Sequence, residues 1–155
     1  MTTTFEYNFT VETSWIDHND HMHDAKYYSL FSDCVVYFFK SVGYEFERED
    51  LPVTIFSLES HISFLKELRL GDTFTVRPYI YDYDAKRTHL ILVMSNAHGE
   101  KVATYEVMMI SVSNETRKSA PFPDKIYQAI ADYYAQQPQF EVPKQVGHVI
   151  GIPKK

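Results

Sequence analysis

The densest chemistry in the chain lies at Trp15-Ile16-Asp17-His18-Asn19-Asp20-His21-Met22-His23-Asp24. Between positions 17 and 24 stand three aspartates, three histidines and one asparagine. Three kinds of chemistry use such a run. Asp and Asn side chains cap helices by accepting from the unpaired first-turn N–H groups, worth about 0.5–2 kcal/mol. Capping accounts for one or two of these residues, not for all. His18, His21 and His23 beside carboxylates are competent metal ligands, but His21 and His23 do not face alike on a helix and no second ligand cluster with typical spacing follows. The third chemistry is hydrolysis. The opening turn of a helix offers free N–H donors and the positive end of its dipole, a cradle for an oxyanion. Asp17, a few residues upstream, can then attack a carbonyl carbon or activate water against it. In that reading His21 holds the water or the carbonyl oxygen, and Asn19 orients either partner.

The flanking elements must hold this run in place. Phe5–Trp15 alternates apolar and polar residues, which predicts a strand with one wet face. Asp24–Val42 contains neither Gly nor Pro and carries two adjoining stripes: Tyr28, Phe31, Val35, Phe38, Val42 and Tyr27, Leu30, Cys34, Tyr37. That predicts a helix apolar on most of its circumference, an interior element, closed by Gly43 as a C-cap. Strands follow over Val53–Leu65, Thr73–Tyr83, Thr88–Ser95 and Lys101–Val112, the last three as an antiparallel meander. Pro78 indicates a bulge or an edge position. A short second helix is expected over Pro123–Gln136, with Ile126, Ile130 and Tyr133 or Tyr134 inward, and the tail Pro138–Lys155 drapes over the surface. A helix buried all round needs a sheet that curls about it, with a partner chain over what remains. The expected fold class is α+β, a five-stranded antiparallel sheet wrapped around a long central helix: the hot-dog architecture.

Composition bounds the rest. A chain of 155 residues with 45% hydrophobic and 23% charged residues can build its own core. One domain is expected, with its core at about 5–135 and a tail over 136–155. Fifteen basic residues against 21 acidic give a net charge of −6 with no basic patch, which argues against a nucleic-acid partner. No apolar run approaches the roughly 20 residues of a membrane span, and the first residues lack the pattern of a secretory signal. Cys34 is the only cysteine, so a reducing cytoplasm is the expected compartment. In mid-helix it reads as inert packing. Aromatics reach 15%, high enough that they must fill or line something.

The stretch from Val11 to Tyr28 resembles the signature of the 4-hydroxybenzoyl-CoA thioesterase-like acyl-CoA thioesterases, which are hot-dog enzymes. Asp17, His21 and Tyr27 or Tyr28 match its pattern, while His23 stands where that family commonly has Asn. Glu59 to Glu67 followed by Leu70-Gly71-Asp72 is similar to the family's long second strand and Gly-Asp turn, and Ser119 to Pro123 to its loop after the last strand. Asp-His-Asn-x-His-Met-x-Asp-Ala-x-Tyr, with the tail Val146 to Pro153, is most similar to the betainyl-CoA thioesterase branch of carnitine catabolism. The resemblance implies thioester hydrolysis of a small polar or cationic acyl-CoA, with coenzyme A as part of the substrate and no separate cofactor. It implies Asp17 as nucleophile or general base, with amides near Met22 and His23 polarising the thioester carbonyl. The imidazole of His23 is bulkier than the Asn side chain, which implies an altered acyl preference or weaker activity.

Further candidates come from the same two sources. Glu59 and His61 are two apart on a strand and share a face; by the resemblance they flank the substrate, and otherwise they are an ordinary polar sheet face. Arg117 and Lys118 are candidates for the CoA phosphates, as are Lys66 and Arg69. Trp15, Tyr27, Tyr28, Tyr37, Tyr79, Tyr81 and Tyr83 are candidates for a cage around a quaternary ammonium, or else core and interface. A homodimer or homotetramer is expected, because sheet edges left bare are a liability. The rival readings are a non-catalytic acyl-CoA or small-ligand binder and a hydratase or dehydratase of the same fold.

Overall fold

The computed structural model describes residues 5–154. Its elements run β1 (Tyr7–Thr10), a 3-10 turn (Thr13–Trp15), α1 (Asp24–Ser41), β2 (Val53–Phe64), β3 (Thr73–Tyr83), β4 (Arg87–Asn96), β5 (Lys101–Ser113) and α2 (Asp124–Gln136). The five strands form one antiparallel sheet in the order β1-β3-β4-β5-β2, curled around α1. This is the expected hot-dog fold. No helix among the described residues is long and apolar enough to cross a membrane.

Two expectations need correction. The first strand does not reach Trp15. Its ladder with β3 ends where Thr10 meets Thr73, and Val11 completes the pairing with the turn through Val11 N to Asp72 O (2.9 Å) and Gly71 N to Val11 O (3.0 Å). Past that point no strand backbone lies opposite, so Trp15 N donates to Glu12 O (3.0 Å) and the chain turns. The central helix, in turn, is not buried all round. Tyr27, Leu30, Phe31, Cys34, Val35, Phe38 and Phe39 are buried, whereas Tyr28 and Tyr37 at the margins are 49% and 40% exposed. One curled sheet covers one side of a helix and leaves the other to solvent.

Packing on the covered side is aromatic. Phe31 of α1 stacks on Tyr105 of β5 with ring centroids 5.2 Å apart and planes within 9°. Phe38 meets Phe39 and Tyr133 edge-on, both at 5.0 Å. Cys34 is buried at 0% exposure, and burial pushes its thiol up to about 12, so it packs and does not react. Along β5, Tyr105, Val107 and Met109 are buried while Glu106 and Met108 between them are half-buried, the alternation of a sheet with one face on the core.

Gly43 ends α1 as expected. Its φ of +94° lets Gly43 N donate to Lys40 O (3.1 Å) and Tyr44 N to Phe39 O (2.9 Å), satisfying two carbonyls of the last turn. A Cβ there would make only an ordinary 4.0 Å contact with Ile126, so the cost of Gly43→Ala is the backbone's alone. We expect a loss of about 1–2 kcal/mol, read by calorimetry as a Tm fall of roughly 2–8 °C.

The two edges of the sheet differ. Pro78 sits beyond the end of β1, on the side of β3 that β1 does not cover, as its sequence position suggested. There the hydroxyl of Tyr133 donates to Pro78 O (3.0 Å). The Gln137 side-chain amide stands in for a strand, accepting from Ile80 N and donating to Ile80 O at 2.9 Å each. The outer edge of β2 has no such cover among the described residues, and Phe56, Leu58 and Phe64 along it are 41%, 57% and 51% exposed.

Candidate active site

The segment between β1 and α1 folds into a closed loop. Asp17 N donates to His21 O (2.9 Å), Asp20 N to Asp17 O (3.1 Å), and Asp20 takes the left-handed backbone (φ 62°) that Asp tolerates better than most residues. Inside the loop, Asp17 Oδ1 accepts from Asn19 N (2.8 Å) and, at 3.4 Å, from His21 N. The amide of Asn19 first, then the amide of His21 and the nearby imidazoles, hold the Asp17 carboxyl below its ordinary value. Its second oxygen makes no hydrogen bond among the described residues.

Asp17 opens onto a cleft of about 670 Å³ between this loop, the start of α1 and the chain leaving β2. His21, Met22, His23 and Tyr27 line it on one side and Phe64, Leu65, Lys66 and Glu67 on the other. Asn19 is exposed and does not line the cleft; it acts on Asp17 through its backbone amide, not its side chain. Tyr27 is buried, accepts from Leu68 N at 3.1 Å and sets its ring edge-on to Phe64 at 5.5 Å. Burial raises its phenol above the usual value, so the hydroxyl keeps its proton as a donor.

The expected amides near Met22 and His23 are not free. Met22 N donates to Leu68 O (2.7 Å) and His23 N to Trp15 O (2.9 Å), bonds that fasten the loop to its neighbours. The open donor lies one residue further on. His23 is the N-cap of α1 but makes no side-chain cap bond, Lys26 N goes to His23 O (2.9 Å), and Ala25 N goes to the side chain of Asp24 (2.7 Å). Asp24 N, at the positive end of the helix, has no acceptor among the described residues.

Other predicted residues lie elsewhere. Glu59 and His61 share a face, but it is the outer face of the sheet, away from α1. A bulge at Leu58 shifts the register by one, so that Glu59 stands opposite Met108 and His61 opposite Glu106. One such slip sends every following side chain to the other face. They line a separate hollow of about 500 Å³ with His89, Glu106 and His148. Arg117 and Lys118 follow β5, whose end pairs with Val53 at the start of β2, roughly 35 Å along the strand from Phe64. They do not reach the cleft of their own chain. The seven aromatic cage candidates scatter likewise: only Tyr27 lines the cleft, while Tyr81 meets His89, Tyr79 stacks on Phe140 and the Trp15 ring carries Lys26 Nζ at 4.6 Å. Among the described residues, His18, His21 and His23 do not join carboxylates in a set able to hold a metal.

Glu67 was missed from sequence. Its Oε2 lies 2.8 Å from His21 Nε2, and its Oε1 receives Arg69 at 3.1 Å. The Glu67 and Arg69 side chains are exposed and the His21 side chain is partly exposed, so the pairing fixes geometry more than it adds stability. The only signal in the sequence was the adjacency of Lys66, Glu67 and Arg69 after an apolar strand end.

Residues 11–130, which hold this loop, the central helix and the curled sheet, match the model of a known family. The chain belongs to the thioesterase-like superfamily. Within that superfamily it is 32% identical to the betainyl-CoA thioesterase of Pseudomonas aeruginosa over 153 residues, 95% of this chain and 94% of that protein. It is 28% identical over 142 residues to the L-carnitine dehydrogenase/betainyl-CoA thioesterase of Rhizobium meliloti, covering 91% of this chain but 29% of that longer protein. A Staphylococcus aureus protein solved in complex with CoA is 49% identical and superposes with a TM-score of 0.93, covering 96% of this chain and 95% of that one.

Proposed function

We propose that the protein hydrolyses the thioester of a small acyl-CoA with a cationic acyl end, betainyl-CoA being the leading substrate, in the breakdown of carnitine in the cytoplasm. The observation that carries this is the pairing, across one cleft, of the free oxygen of Asp17 with the open N–H of Asp24. The thioester carbonyl oxygen rests on Asp24 N, which stabilises the negative charge that grows as the carbon becomes tetrahedral. Asp17 either attacks the carbonyl carbon itself, expelling CoA thiolate and leaving an acyl anhydride that water then hydrolyses, or takes a proton from a water that attacks. By both routes the C–S bond breaks, the thiolate takes up a proton, and CoA thiol and the free acid leave. His21 holds the water or the oxyanion, while Met22, His23 and Tyr27 shape the acyl site. Asp17, Asp24 and Glu67 around the cleft favour a cation, and the faces of Tyr27 and Phe64 favour a quaternary ammonium. Lys66, which lines the cleft and pairs with Glu100, is the first cation available to the CoA phosphates. The resemblance to a betainyl-CoA thioesterase and to a CoA-bound protein supports the same substrate class.

We further read the working unit as a homodimer paired antiparallel along the free edge of β2. Such pairing brings the Val53 end of one copy, with Arg117 and Lys118, beside the Phe64 end of the other, where those two cations can meet CoA.

Release of free thiol from a panel of acyl-CoAs tests the function. Betainyl-CoA should exceed its neutral isostere 3,3-dimethylbutyryl-CoA by roughly tenfold in kcat/KM. Binding without thiol release would favour the binder, and water addition to an enoyl-CoA the hydratase. In the same assay Glu67→Ala should lower kcat roughly 10- to 100-fold, because His21 loses the partner that orients it, with KM little changed.

A further inference from the structure

The last residues of the chain are held more firmly than a surface tail requires. Phe140 stacks on Tyr79 of β3 at 4.1 Å, Gly147 N donates to Glu106 of β5 at 2.8 Å, and the His148 ring sits 5.9 Å from that of His61 on β2. The other contact of Glu106 is His89 Nε2 at 2.6 Å, so one carboxylate clasps both the sheet and the tail. Two successive turns, Val146 N to Pro143 O and His148 N to Gln145 O, stiffen the approach. These anchors step from β3 to β5 to β2, across the outer face toward the open edge.

Immediately after the last anchor the chain puts three β-branched residues into water. Val149, Ile150 and Ile152 are 83%, 84% and 83% exposed, while no other large apolar residue among those described exceeds 57%. A lone exposed aliphatic residue means little. Three within four positions, on a fixed base beside an unpaired strand, make a contact surface that lacks its partner. Val149, Ile150 and Gly151 border hollows along the β2 side of the outer face, from Glu59 to Leu65, so a chain paired with β2 would lie next to them. A second copy fits that description: it offers an identical twelve-residue strand, and the exposed Phe56, Leu58, Phe64 and Leu65 of both copies need cover. A two-fold axis makes the contact reciprocal, each tail on the other sheet.

We infer that residues 149–153 form an arm that crosses the β2 seam and packs on the outer face of a second copy. This rests on the homodimer read above. Ile150 and Gly151 border a hollow with Phe64 and Leu65, which also line the Asp17 cleft, so the arm starts close to one wall of the site.

Sedimentation of the full chain, of a chain ending at His148, and of the double substitution Val149→Asp/Ile150→Asp tests it. The variants should keep the wild-type circular dichroism and raise the dimer dissociation constant at least tenfold. A wild-type dimer matched within twofold by both variants overturns the arm alone; a monomeric wild type overturns the homodimer and the arm together. Ile150→Cys carrying a benzophenone, in a mixture of ¹⁵N-labelled and unlabelled chains, should crosslink light to heavy peptides. Crosslinks confined to one chain would overturn the inference. So would flotation with phosphatidylglycerol vesicles that the shortened chain loses, which would assign the arm to a lipid surface.

Discussion

Asp17→Asn should lower kcat by roughly two to four orders of magnitude while the affinity for a non-hydrolysable CoA thioester stays nearly unchanged. The amide retains an oxygen for the N–H groups of Asn19 and His21, so the loop keeps its shape; what disappears is the charged lone pair facing the cleft. Stopped-flow thiol release together with calorimetric binding separates the two effects. Equal losses in binding and turnover would mean that the carboxylate serves the fold of the loop. The amide contacts also fix the sign of its titration. Because they favour the ionised form, the active carboxylate persists as pH falls until it drops through a value below the usual 3.8. A ¹³C titration of the Asp17 carboxyl should find its midpoint below that figure, and a midpoint above it would contradict the hydrogen-bonded loop.

Phe31→Ala should destabilise the protein by about 3–5 kcal/mol, a Tm fall of roughly 6–20 °C. Phe31 is fully buried and lies flat on Tyr105, so truncation removes the stacked pair and leaves a hole that rigid neighbours on β5 cannot fill. It also loosens the seat of α1, whose first residues carry the open amide. Activity at a temperature well below the new Tm should therefore fall along with stability. Unfolding in urea, followed by assay of the folded fraction, distinguishes lost protein from a misplaced helix.

The path from sequence to fold was short where periodicity is strong. Thr73–Tyr83 matched to the residue, and α1, β2, β4, β5 and α2 each matched to within a residue at either end, because alternation and the 3.6 repeat report which face a residue must bury. β1 failed for an instructive reason: alternation continues to Trp15, but a strand needs a neighbouring backbone and β3 begins at Thr73. The site divided the same way. Asp17, His21, Met22, His23 and Tyr27 meet in one cleft because they are close along the chain and a single loop gathers them. Glu59 and His61 turn to the outer face through a one-residue bulge at Leu58, which leaves no mark in composition. Glu67 could not be found, since its partnership with His21 exists only after β2 has returned past the start of α1.

The Gln137 amide on Ile80 bears on solubility as well as on packing. By occupying the one stretch of β3 that β1 leaves open, it denies incoming strands a template there, and β1 itself presents only a four-residue rung. Polymerisation through backbone ladders needs two adhesive ends per molecule. Among the described residues β2 is the one long uncovered edge, so pairing of two copies through it, as read above, would use that edge up instead of elongating into fibrils.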